Sequence, residues 1–119
     1  MTLQEFLDKE YRKDHQQIET FIIAGYNNLT LLENNGNLIN VKKLYIQCNN
    51  LTSLKGIELI PNLEIIYLWG NKLEDITDLK DLKKLNWISA SKESIPERYH
   101  HFLNDDGDIE GRENVEQLQ

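Results

Sequence analysis

Cys48, His15, His100 and His101 are the side chains of this 119-residue sequence best suited to nucleophilic or metal chemistry. A nucleophilic cysteine needs a base or a positive charge close by to hold its thiolate. Cys48 has no histidine near it in the sequence. His100 and His101 are adjacent, and neighbouring helical residues point roughly 100° apart, so one metal ion does not readily take both. His15 stands alone in an N-terminal helical stretch. A single cysteine excludes an internal disulfide and any multi-cysteine zinc site. There is no glycine-rich phosphate loop and no serine–histidine constellation. The expectation is therefore no enzyme, no catalytic residue, no metal and no cofactor.

Carboxylates make one partial motif. Within residues 102–113, Asn104, Asp106, Gly107, Ile109 and Glu113 occupy EF-hand positions three, five, six, eight and twelve. Position one, normally aspartate, is Phe102, which removes a primary ligand. A solvated acidic segment is the plainer reading.

The elements that position these residues follow from composition and period. Hydrophobic residues make up 39% of the chain and charged residues 28%, enough apolar material for one packed domain of this length. No apolar run approaches the ~20 residues of a membrane helix, and the N-terminus lacks a signal-peptide core. A cytoplasmic protein is expected. The net charge is −7, and residues 104–119 hold six acids against Arg112. The body is thus almost neutral and gives no basic footprint for direct nucleic-acid contact.

The sequence repeats itself every 22 residues, with units starting at Glu19, Val41, Leu63 and Leu85. Position four of each unit is Ile22, Leu44, Ile66, Ile88. Position six is Ala24, Ile46, Leu68, Ala90. Position nine is Asn27, Asn49, Asn71, then Glu93. Position eleven is Leu29, Leu51, Leu73, Ile95. Alternation at positions four and six predicts a short strand with one buried face. The turn after it buries backbone groups that need partners, and an asparagine side chain both donates and accepts. Ionised Glu93 cannot donate, so the asparagine ladder should end there.

These units resemble the leucine-rich-repeat family, pattern LxxLxLxxNxL, and in length the subclass of internalins and a phosphatase regulatory subunit. The resemblance covers Glu19 to about Ile95. It implies an α/β fold: a short solenoid with a parallel sheet on its concave face, closed by helical caps. Leu3, Phe6, Leu7 and Tyr11 follow helical spacing, and Thr2 with Glu5 forms a capping box, so residues 2–17 are expected as the N-terminal cap. At the other end Pro96 opens a helix whose Tyr99, Phe102 and Leu103 close the core. One domain over residues 1–103 is expected, with residues 104–119 as a mobile acidic tail. The two caps favour a complete chain.

In this register the concave face carries Phe21, Ile23, Lys43, Tyr45, Ile65, Tyr67, Trp69, Trp87 and Lys92. Lys92 would lie two strands from Cys48, ~9–10 Å away, too far to activate it. Four neighbouring aromatics on a solvent-facing sheet exceed the apolar patch a monomer usually shows. The plainer alternatives are strand propensity, or the N-terminal helix or the acidic tail folded over them. The sequence is therefore read as a binding module that grips a protein through this face, as a monomer rather than a homodimer. The alternative reading is a small acidic inhibitor of a nucleic-acid-handling enzyme, a phage- or virus-type antagonist of host defence.

Overall fold

A computed structural model describes residues 1–11, 20–34 and 36–119. Each repeat unit places three residues in a strand: β1 (Phe21–Ile23), β2 (Lys43–Tyr45), β3 (Ile65–Tyr67) and β4 (Trp87–Ser89). They pair in parallel and in strict 22-residue register, Ile22 beside Leu44, Leu44 beside Ile66 and Ile66 beside Ile88. Those four central residues point inward and are fully buried, as are Ala24, Ile46, Leu68 and Ala90. The return paths use 3-10 turns, Ile57–Leu59 and Thr77–Asp81, that send Ile57 and Leu79 into the same core. The short solenoid implied by the repeats is thus the fold that forms.

The residue that ends each strand bend takes a left-handed backbone, at Tyr26 (φ 61), Cys48 (φ 53) and Gly70 (φ 80). In the fourth unit Ser91 (φ 67) takes this role, one residue earlier than the 22-residue count. A side chain at Gly70 would meet Cys48 Sγ at 2.6 Å and the Cys48 backbone nitrogen at 2.9 Å, so glycine is required where that turn stacks on the previous one.

The asparagine ladder is present. Asn49 is 6% exposed. Its Nδ2 donates to the carbonyls of Ile46 in its own turn and Ala24 in the preceding one, while its Oδ1 accepts from the Asn27 and Leu29 N–H groups. Asn71 repeats the pattern on Leu68, Ile46 and Leu51. The ladder stops at exposed Glu93, and buried Ser94 replaces it. The Ser94 hydroxyl accepts from the Gly70 N–H at 2.5 Å and its carbonyl accepts from Leu73.

At the N-terminus, helix α1 (Leu3–Glu10) begins with the expected reciprocal box between Thr2 and Glu5. It buries Leu3, Phe6 and Leu7, and Leu3 N–H donates to the Leu31 carbonyl. The helix reaches Glu10. The remainder of the expected cap, residues 12–17, with His15, lies outside the described residues, as does Glu19. Tyr11 completes the cap: its ring meets Phe6 edge-on, and its hydroxyl accepts from the outward N–H of Ile23.

The C-terminal end departs from expectation. The segment after Pro96 is a 3-10 helix, Glu97–Phe102, with Tyr99 buried and Phe102 and Leu103 packed on the core. Residues 104–119, expected as a mobile tail, continue the fold. They form β5 (Asp108–Glu110), antiparallel to β4, and α2 (Arg112–Val115). Ile109, Val115 and Leu118 are fully buried. The physical reason is that β4 would otherwise leave an open edge; Gly107 and Asn86 carbonyl contacts with Ala90 and Gly111 close it. The outer edge of β5 is covered in turn by side chains of Asn104, which accepts from Asp108 N–H, and Asn114, which donates to the Glu110 carbonyl.

Candidate functional site

The outward residues of the strands form rows across the concave face. One row runs Phe21, Lys43, Ile65, Trp87, Glu110, and the next runs Ile23, Tyr45, Tyr67, Ser89, Asp108. Strand alternation fixes this: with Ile22, Leu44, Ile66, Ile88 and Ile109 inward, both neighbours of each must point out. Phe21 is 51% exposed, Ile23 57% and Tyr26 70%. Tyr45, Ile65, Tyr67, Trp69 and Trp87 are half-buried.

Tyr45 and Tyr67 stack with ring centroids 4.5 Å apart, and Tyr26 meets Trp69 edge-on at 6.4 Å. Desolvation in this stack, then the neighbouring Tyr45 and Asp108, push the Tyr67 hydroxyl above its ordinary pKa. Tyr26 is raised as well, by its hydrogen bond with Cys48 and that thiol's charge when ionised. Both phenols are therefore neutral donors at physiological pH. Such rings offer large apolar area with one polar handle, the chemistry of protein recognition.

Of the nine residues expected on this face, eight sit in or beside these rows. Lys92 departs from its expected place. The one-residue shift at Ser91 makes it open a 3-10 turn, Lys92–Ser94, and it lines a groove with Glu93, His100, Asp105 and Asp106. Cys48 has a phenol for a neighbour rather than a base. His100 Nε2 lies 2.9 Å and 3.0 Å from the carbonyls of Lys92 and Ile95, and His101 packs on Phe102. In the EF-hand-like stretch Asn104 Oδ1 faces the N–H groups of Asp106 and Asp108 instead of an ion site. Among the described residues no group of three or more His, Cys, Asp or Glu is placed to hold a metal ion.

Sequence reasoning missed Asp108 and Glu110, because residues 104–119 were not given a strand. The signal was present: Ile109 between two acids is the same inward-outward alternation as in the repeats. It also missed Arg112, the one cation of the segment. Its guanidinium donates to the carbonyls of Lys80, Leu82 and Leu85 and to Glu116, tying α2 to the last repeat.

A groove of about 620 Å³ lies on the opposite side, lined by Lys55, Glu58, Asp78, Asp81, Lys83 and Lys84 among others.

Residues 39–81 match the family described as leucine-rich repeats, in two copies. These are the units that begin at Val41 and Leu63. Leucine-rich repeat-containing protein 56 of Mus musculus is 34% identical over 55 residues, which is 46% of this chain and 10% of that protein. The protein of the same name from Rattus norvegicus is similar to the same extent. The matched stretch spans a tenth of the length of these curated relatives. Leucine-rich repeats generally serve protein interaction. No helix of the described residues is long and apolar enough to cross a membrane.

Proposed function

We propose that this chain is a non-catalytic binding module that grips a protein partner through its concave face. In unit length it is similar to the internalin and phosphatase-regulator subclass of leucine-rich repeats. The observation that carries the proposal is the gathering on one face of the sheet of exposed Phe21, Ile23 and Tyr26 with half-buried Tyr45, Tyr67, Trp69 and Trp87. Water-facing aromatics at this density are costly unless something buries them. Lys43 lies within the surface. The module acts as a cytoplasmic monomer, without direct contact to nucleic acid or membrane.

The test is affinity capture from the native cell lysate with wild type and with Tyr67→Ala/Trp69→Ala. The partner is captured by wild type and lost with the folded double variant. Retention by that variant moves the site elsewhere and refutes the proposal.

The inhibitor reading draws on the acidic residues, and the structure changes how it is tested. Deleting residues 104–119 would remove buried Ile109, Val115 and Leu118, so loss of binding would only report unfolding. Neutralising exposed Asp105 and Asp106 separates charge from fold.

A further inference from the structure

The rows of the concave face change character from one end to the other. At β1 they begin with exposed Phe21 and Ile23, and at β5 they end with Glu110 and Asp108. Asp105 and Asp106, in the turn before β5, lie instead in the groove with Lys92. Among the described residues neither Asp108 nor Glu110 pairs with a cation; the Glu110 carboxylate accepts only from the neutral Asn104 amide, at 2.6 Å. Lys43 is the one cation in the two rows, three strands away from β5 on the apolar side of Trp87.

Side chains bond outward backbone groups at both edges of the sheet, Tyr11 at the Ile23 N–H of β1 and Asn104 and Asn114 at the Asp108 N–H and Glu110 carbonyl of β5. Strand addition is thereby hindered, and recognition falls chiefly to side chains on the face. Four strand spacings separate Ile23 from Asp108, about 19 Å. A helix of roughly 13 residues spans that distance.

We infer that the partner presents a basic amphipathic segment, with apolar residues over Phe21, Ile23 and the Tyr45–Tyr67 pair and Lys or Arg at Asp108 and Glu110. This rests on the concave face being the binding surface. A second copy of this chain fits less well. A two-fold axis through the middle of the face would press Asp108 and Glu110 onto Phe21 and Ile23, desolvating carboxylates with no cation to meet them.

The experiment pans a phage-displayed library of random 16-residue peptides on the full chain. The targets are wild type, Asp108→Asn/Glu110→Gln and Phe21→Ser/Ile23→Ser, each checked for folding by circular dichroism and thermal melting. Asp108→Asn alone is carried as the milder charge variant. Peptides enriched on wild type combine apolar residues with Lys or Arg, and the basic bias disappears on the charge variants. A synthesised wild-type binder loses roughly fivefold in affinity on Asp108→Asn/Glu110→Gln at low salt, and less at high salt. Binders without basic bias, or with a bias that survives neutralisation, overturn the inference while leaving the face intact. Binders indifferent to Phe21→Ser/Ile23→Ser, or no enrichment at all, count against the face itself. Self-association of the chain that Phe21→Ser/Ile23→Ser abolishes assigns the surface to a second copy and overturns the inference.

Discussion

The Tyr45 and Tyr67 rings lie face to face on adjacent strands, centroids 4.5 Å apart and planes within 5° of parallel. The 22-residue register alone creates this pair, since it sets Tyr45 opposite Tyr67. An aromatic pair of this kind contributes ~0.5–1.5 kcal/mol beyond area burial. A double-mutant cycle with Tyr45→Ala and Tyr67→Ala should return a coupling of that size in thermal or denaturant unfolding. The stack also holds Tyr67 rigid for a partner. Tyr67→Ala should therefore weaken partner binding by about 2 kcal/mol, roughly thirtyfold, in a titration.

Asn49 carries more of the fold than any exposed residue of its loop. Its amide satisfies two carbonyls and two N–H groups of two successive turns. Asn49→Ala leaves these backbone groups buried and unpaired, costing about 2–5 kcal/mol in urea unfolding. Asn27→Ala, whose side chain makes one bond to the Gly25 carbonyl, should cost under about 1.5 kcal/mol.

Arg112 clamps the C-terminal cap. Three carbonyls accept from it, at 2.6, 2.7 and 3.1 Å. Arg112→Ala should destabilise by about 2–4 kcal/mol and lower the Tm by roughly 10 °C. Arg112→Lys should restore only part, because an ammonium cannot reproduce the planar fork. Calorimetry of the three proteins checks this.

Asp75 contributes to acid stability. Hydrogen bonds from the Thr77 hydroxyl and N–H, then from Tyr99, together with the charge of Arg98, hold the Asp75 carboxyl below its ordinary pKa. A depressed native pKa means stability that is full above the unfolded value and lost as pH falls through the folded one. Asp75→Asn should thus be less stable than wild type at pH 7, with the difference shrinking below about pH 4. Equal differences at pH 7 and pH 3 would contradict the assignment.

Period made most of the fold legible. Ile22, Leu44, Ile66 and Ile88 recur at one spacing, so strand, register and core face followed together. Asn27, Asn49, Asn71 and Glu93 marked the extent of the ladder, though not Ser94 as its replacement, since serine had no place in the period. The rows of the candidate site were legible for the same reason. The segment from Asn104 onward was not, because charge density masked Ile109, Val115 and Leu118. Three apolar residues among six acids look solvated until a sheet edge needs covering. The shift at Ser91 was equally silent, and it moved Lys92 off the face.

The central claim is that the concave face, rather than the opposite groove, binds the partner. The most direct measurement is the affinity of a captured partner for wild type, Tyr67→Ala/Trp87→Ala and Lys55→Ala/Lys83→Ala, all verified as folded. The account predicts at least a thirtyfold loss for the concave pair and less than a threefold change for the groove pair. Full affinity in the concave variant with loss in the groove variant would contradict it.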